Sequence, residues 1–125
     1  MIDSYEEWEL IDSPPNAFVL YEIKEGVSGL NILLKDLKGS RRLLEISFSK
    51  SLSLRVVEEE GRSKTLFENH SMGSFNMTRH SEFLNWFSDE SQGLFDYKEL
   101  IHYNIASSNK IIDIISGDPP EVKWS

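Results

Sequence analysis

The chemistry-bearing residues of this chain concentrate in Leu100 to Ser116, LIHYNIASSNKIIDIIS, where a histidine and an aspartate stand eleven positions apart. Isoleucine and tyrosine dominate two short runs, and Ser107-Ser108-Asn109 between them suits a turn, since Asn tolerates positive φ; the stretch therefore predicts a β-hairpin. Loop parity decides what the hairpin means. With two or four loop residues, Ile101, Tyr103 and Ile105 share a face with Ile112 and Ile114, and His102, Asn104 and Asp113 share the other. Three loop residues would place Asp113 among the isoleucines and bury a charge, which disfavours that register. A carboxylate beside an imidazole fixes its tautomer and raises its basicity, the arrangement of a general base and its orienter. The nucleophile is the missing part: Ser107 and Ser108 sit at the hairpin tip, away from that face. His102, Asn104 and Asp113 are thus expected to form the wet side of a half-exposed hairpin, hydrogen-bonding to neighbouring strands or to a partner.

Other sites are harder to build. His70 and His80 lie ten apart around a strand-like segment, which matches no compact metal-ligand spacing, and the absence of cysteine removes disulfides and thiolate metal sites. No glycine-rich phosphate loop, GxSxG elbow, HExxH helix or EF-hand loop occurs. The expectation is no catalytic residue, no metal and no cofactor. The net charge of −8 is uneven: residues 35 to 64 carry eight of the 13 basic side chains and a net +3, leaving −11 on the remainder. Such a chain repels nucleic acid and anionic lipid and attracts basic partners. The basic segment holds a single aromatic, Phe48, so a stacking platform for single strands is missing.

The elements that position these groups follow from periodicity. Residues 1–16 read as an acidic N-terminal arm or short helix, with a capping box at Ser4 and Glu7 and an apolar face of Ile2, Tyr5 and Trp8, stopped by Pro14-Pro15. From Ala17 the period becomes two. Residues 17–23 and 30–37 predict two strands joined by a loop that turns at Gly26 and Gly29. In RRLLEISFSKSLSLRVVEEE the even positions Leu44, Ile46, Phe48, Leu52, Leu54 and Val56 are all apolar. This block predicts either a hairpin with a three-residue loop or one bulged continuous strand. Residues 74–79 predict a further strand. Ser81 then caps a short helix whose inward face is Phe83, Leu84 and Phe87, with Trp86 also expected in the core and Gln92-Gly93 ending the helix. The fold class expected is α+β: a single domain over 1–125, with 17–125 a mostly antiparallel sheet of about six or seven strands and one or two short helices.

Large aromatic groups rimmed by carboxylates suit recognition of a basic protein. The candidate partner-binding residues are Trp8, Glu58, Glu59, Glu60, His102, Asp113 and Trp124, the last being the tryptophan least committed to the core. The order of features in the C-terminal half, namely Phe83-Leu84-Asn85-Trp86-Phe87, Ser91 to Gly93, Ile101-His102-Tyr103, Ile112-Asp113-Ile114-Ile115 and Pro119-Pro120-Glu121-Val122, resembles a group of small bacterial proteins, some described as immunity proteins of polymorphic toxin systems. Arg55 with Glu58 fits the same pattern more loosely. The resemblance covers about half of the chain and implies a non-enzymatic protein that neutralises a basic toxin domain, with no active site. The alternatives are a generic interaction or scaffold domain, or a small hydrolase using His102 and Asp113. A cytoplasmic protein is expected, monomeric or weakly dimeric, without nucleic-acid or membrane partners: no apolar run approaches a membrane span, and the N-terminus is acidic where a signal peptide would be basic.

Overall fold

Alternation of period two dictates strands with one apolar face, and two sheets bury those faces against each other. The computed structural model describes residues 5–8, 17–37, 42–58, 61, 73–96 and 98–124. Nine antiparallel strands form among them: β1 (Glu6–Glu7), β2 (Phe18–Gly26), β3 (Gly29–Asp36), β4 (Leu43–Phe48), β5 (Ser53–Glu58), β6 (Phe75–Thr78), β7 (Ile101–Ala106), β8 (Lys110–Ser116) and β9 (Glu121–Trp124). One helix, α1 (Glu82–Glu90), lies between β6 and β7 in sequence. Five strands make one sheet in the order β1-β6-β7-β8-β5, and four make the second in the order β2-β3-β4-β9. The α+β expectation thus resolves into a mostly antiparallel β-sandwich with more strands than predicted.

Cross-strand register builds the core. In the four-stranded sheet Leu30 faces Phe48, Ile32 faces Ile46 and Leu34 faces Leu44; in the other, Tyr103 faces Ile114 and Ile105 faces Ile112. These residues and Trp8, Phe18 and Phe75 form a single buried cluster. Phe18 stacks on Phe75 across the two sheets and Phe48 meets Tyr103 edge to face. Truncating any one of the fully buried isoleucines or leucines to Ala costs roughly 2–5 kcal/mol. A bulge in β2 between Leu20 and Glu22 adds one residue, Tyr21, which points to solvent. The bulge explains how even-numbered Phe18 and Leu20 and odd-numbered Ile23 all reach the same core. At the β2–β3 turn Gly29 has φ +119°, and a Cβ there would overlap the Phe48 carbonyl, so both conformation and space require glycine.

The β7–β8 hairpin takes the even-parity register, closed by a Ser107 N–H to Lys110 O bond of 2.9 Å around a two-residue loop. Asn109 does not use positive φ; Gln92 is the one non-glycine that does among the described residues. Asn109 instead accepts the Leu20 N–H on its side-chain oxygen at 3.1 Å, and Ser108 N–H donates to Phe18 O at 2.9 Å. The hairpin tip of one sheet therefore caps the free edge of β2 in the other.

Three expectations are corrected. The arm around Tyr5 to Trp8 is extended, not helical: Glu6 and Glu7 pair with Met77 and Asn76, because a sheet edge supplies hydrogen bonds that a helix this close to Pro14-Pro15 cannot. Segments 43–48 and 53–58 are neither hairpin nor continuous strand. They belong to different sheets, and the chain crosses between them where Leu52 N–H bonds Ile115 O and the Ser116 hydroxyl bonds Lys50 O. Residues 121–124, for which the sequence predicts no element, add an edge strand beside β4, where Val122 faces Ile46. Trp86 is half exposed rather than core.

Candidate functional site

Register also sets the outer face of the five-stranded sheet. Asn76 faces Asn104, Asn104 faces Asp113 and Asp113 faces Arg55, so one rung crossing β6, β7, β8 and β5 carries four polar side chains in line. His102 lies on the same face one rung along, diagonal to Asp113. The side chains bond in sequence. Asn76 Nδ2 donates to Asn104 Oδ1 at 3.0 Å, and Asn104 Nδ2 donates to Asp113 Oδ1 at 3.0 Å. His102 Nε2 reaches the same oxygen at 2.7 Å, while Arg55 Nε and a terminal guanidinium nitrogen reach Asp113 Oδ2 at 3.1 and 3.0 Å. Asp113 thus accepts four hydrogen bonds, and its charge is matched by the guanidinium of Arg55.

The second imidazole nitrogen finds Ser81. Ser81 is the N-cap of α1, extended at φ −150°, and its Oγ accepts the Leu84 N–H at 3.1 Å while lying 2.8 Å from His102 Nδ1. With the Nε2 proton directed at Asp113, Nδ1 accepts from the Ser81 hydroxyl and every donor has one acceptor. Phe83 from α1 and Tyr5 from the N-terminal segment meet the His102 ring edge-on. Arg55 lays its guanidinium over the Phe83 ring with Cζ 4.3 Å from the centroid. Thr78 completes the lead into the helix by bonding both His80 backbone groups.

This arrangement corrects the expectation of a wet face. His102, Asn104 and Asp113 are each 0% exposed, because α1 folds back over the sheet and its first turn covers the imidazole. The order Ser81, His102, Asp113 is that of a nucleophile, base and orienter. Ser81 is buried, however, one of its lone pairs takes the Leu84 amide, and both oxygens of Asp113 are fully engaged. Among the described residues the Ser81 hydroxyl is thus covered on the side of the helix and engaged on the side of the imidazole. An open depression of about 590 Å³ lies instead beside the β2–β3 turn, between Lys24, Asn31, Ser47 and Pro119, and no member of the polar row lines it.

The remaining predicted residues do not gather into one surface. Trp8 is buried between the sheets against Phe75 and Tyr103, and its indole N–H has no hydrogen-bond partner among the described residues. Glu58 is exposed at the end of β5 and ion-pairs with Lys110. Glu59, Glu60 and His70 lie outside the described residues. Trp124 packs half-buried against the core with the Arg42 guanidinium over its ring. No group of three or more His, Asp or Glu side chains suited to a metal ion occurs among the described residues. Ser81 was legible as a cap but not as the partner of His102, and Arg55 and Asn76 join the row through pairings that local sequence does not encode. No helix among the described residues is long and apolar enough to cross a membrane. Comparison with protein-family models, with curated proteins and with solved structures finds no match.

Proposed function

We propose that the chain is a non-enzymatic protein-binding domain of the immunity or antitoxin kind, acting in the cytoplasm on a basic toxin domain as a monomer or weak homodimer. The observation that carries this reading is the burial of Ser81, His102 and Asp113: the best-equipped chemical cluster is hydrogen-bonded within itself and has little exposed surface. That leaves surface recognition, and a net charge of −8 favours a positively charged protein as its object. The test is co-purification with the product of a gene encoded beside this one. A saturable complex that blocks that product's activity bears the reading out, and a neighbourhood without a toxin-like gene, together with no complex, sinks it.

One observation favours a second reading, a small hydrolase: the 2.8 and 2.7 Å contacts that align Ser81, His102 and Asp113. On that reading Ser81→Ala abolishes an esterase activity measured on a small activated ester while the melting transition stays cooperative. An absence of such activity in the unmodified chain removes it.

A further inference from the structure

The helix that seals the polar row presents a different chemistry on its outward side. Trp86 lies parallel to Phe83, with an interplanar angle of 8° and centroids 5.7 Å apart, yet is 50% exposed, and Leu94 just beyond the helix is 69% exposed. Glu82, Asp89 and Glu90 are exposed too, and at spacings of three and four residues they share the face of Trp86. Residues 81 to 96 contain four carboxylates and neither lysine nor arginine. Asp89 and Glu90 sit in the last helical turn, where the partial negative charge of the free carbonyls makes a carboxylate unfavourable. Neither has an ion-pair partner among the described residues.

Three other aromatic rings, two of them accessible and Phe83 buried, each carry a cation. Tyr21 has the Lys35 ammonium over its ring, Trp124 has the Arg42 guanidinium and Phe83 has Arg55. No lysine or arginine among the described residues lies over Trp86. The most exposed indole therefore has no cation of the described residues over it, and Asp89 and Glu90 beside it weaken their own helix.

We propose that the outward face of α1 is the docking surface for a basic protein, with an arginine or lysine side chain of that partner laid on the Trp86 indole and paired to Asp89 and Glu90. The assignment rests on the protein-binding reading and adds to it a location and the chemistry of the occupant. A desolvated indole with a ring of charge around it is the usual composition of an interface anchor, and the carboxylates steer the approach.

The test titrates the full chain, isotopically labelled, with a hexa-arginine peptide at physiological salt, using a hexa-glutamate peptide as control. The expected result is a saturable shift of the Trp86 indole N–H and of the α1 amides, with affinity reduced about tenfold or more in Trp86→Ala and in the double variant Asp89→Lys/Glu90→Lys. The double variant is also expected to melt at a higher temperature, since lysine suits a helix C-terminus, so its loss of binding is not a loss of fold. Shifts confined to another face, undiminished binding by both variants, or no saturable shift in the unmodified chain overturns the assignment. Binding at another face leaves the protein-binding reading standing, because co-purification with the neighbouring gene product decides that separately.

Discussion

The two sheets carry matching polar rungs on their outer faces, and only one of them is covered. In the five-stranded sheet the rung is Asn76, Asn104, Asp113 and Arg55; in the four-stranded sheet it is Lys24, Asn31, Ser47 and Glu121. Both combine an amide with charged residues, and in both the side chains bond across strands, as Ser47 does to Asn31. The difference lies in the connections. The turn between β2 and β3 is two residues long, whereas the segment joining β6 to β7 includes α1, which returns across the five-stranded sheet. Burial then changes the energetics of similar residues. An exposed ion pair contributes about 0–1 kcal/mol, while each buried donor left without its acceptor costs roughly 1–3 kcal/mol.

That contrast fixes the order of expected effects. Asp113→Ala is the most damaging: it strands two buried donors, on His102 and Asn104, and frees the partly exposed Arg55, and urea unfolding is expected to show a loss of roughly 2–6 kcal/mol. A loss below about 1 kcal/mol would mean that the row is wetter than its burial implies. Ser81→Ala removes a helix cap and the hydrogen-bond partner of a buried imidazole together, for an expected cost of roughly 1–3 kcal/mol, again by urea titration. Rescue by Ser81→Thr, which keeps the hydroxyl, separates those losses from simple packing.

The inner layer shared by the sheets offers a smaller, pH-confined effect. Burial pushes the Tyr103 phenol above its ordinary 10.0, the nearby Arg79 partly opposing this. The folded state thus prefers the neutral phenol. This contribution is fully present below the unfolded pKa and is lost as pH rises through the folded one. Unfolding midpoints of the unmodified chain are therefore expected to fall more steeply than those of Tyr103→Phe as pH rises past the ordinary phenol value of 10.0. Least affected is the open rung: Lys24→Ala and Glu121→Ala should each change stability by no more than about 0.5 kcal/mol. A larger loss from either would show that the four-stranded sheet has a covering of its own and would end the comparison.

Much of the hairpin was legible in the sequence, and its environment was not. The parity argument places Tyr103 and Ile105 opposite Ile114 and Ile112, as observed, because a buried charge penalises the alternative and that penalty is local to two adjacent strands. Ser81 and Gln92-Gly93 bounded the helix for the same reason: caps and left-handed residues act within one turn. Whether an alternating polar face is wet depends on what lies over it, and that information sits elsewhere in the chain. Arg55 meets Asp113 across 58 residues, and no pattern around either residue announces the other. The apolar spacing of Tyr5 and Trp8 fits a helix, but the free edge of β6 decides in favour of a strand, with Trp8 entering the inter-sheet core and Tyr5 meeting His102. The size of Trp86 points to the core; its place on the outward side of α1 follows from Phe83, three residues earlier, taking the inward one.

The cap that Ser108 and Asn109 place on β2 bears on how the protein is made. Leu20 donates to a side chain 89 residues further along, so during synthesis the first part of that strand leaves the ribosome long before the groups that will cover it. Until the distant turn arrives, Phe18 and Leu20 offer a bare, apolar strand edge to any neighbouring nascent chain, the hazard that edge strands pose generally. Closure of this corner is a late, high-contact-order event, and slow hydrogen exchange at the Leu20 amide would report its completion.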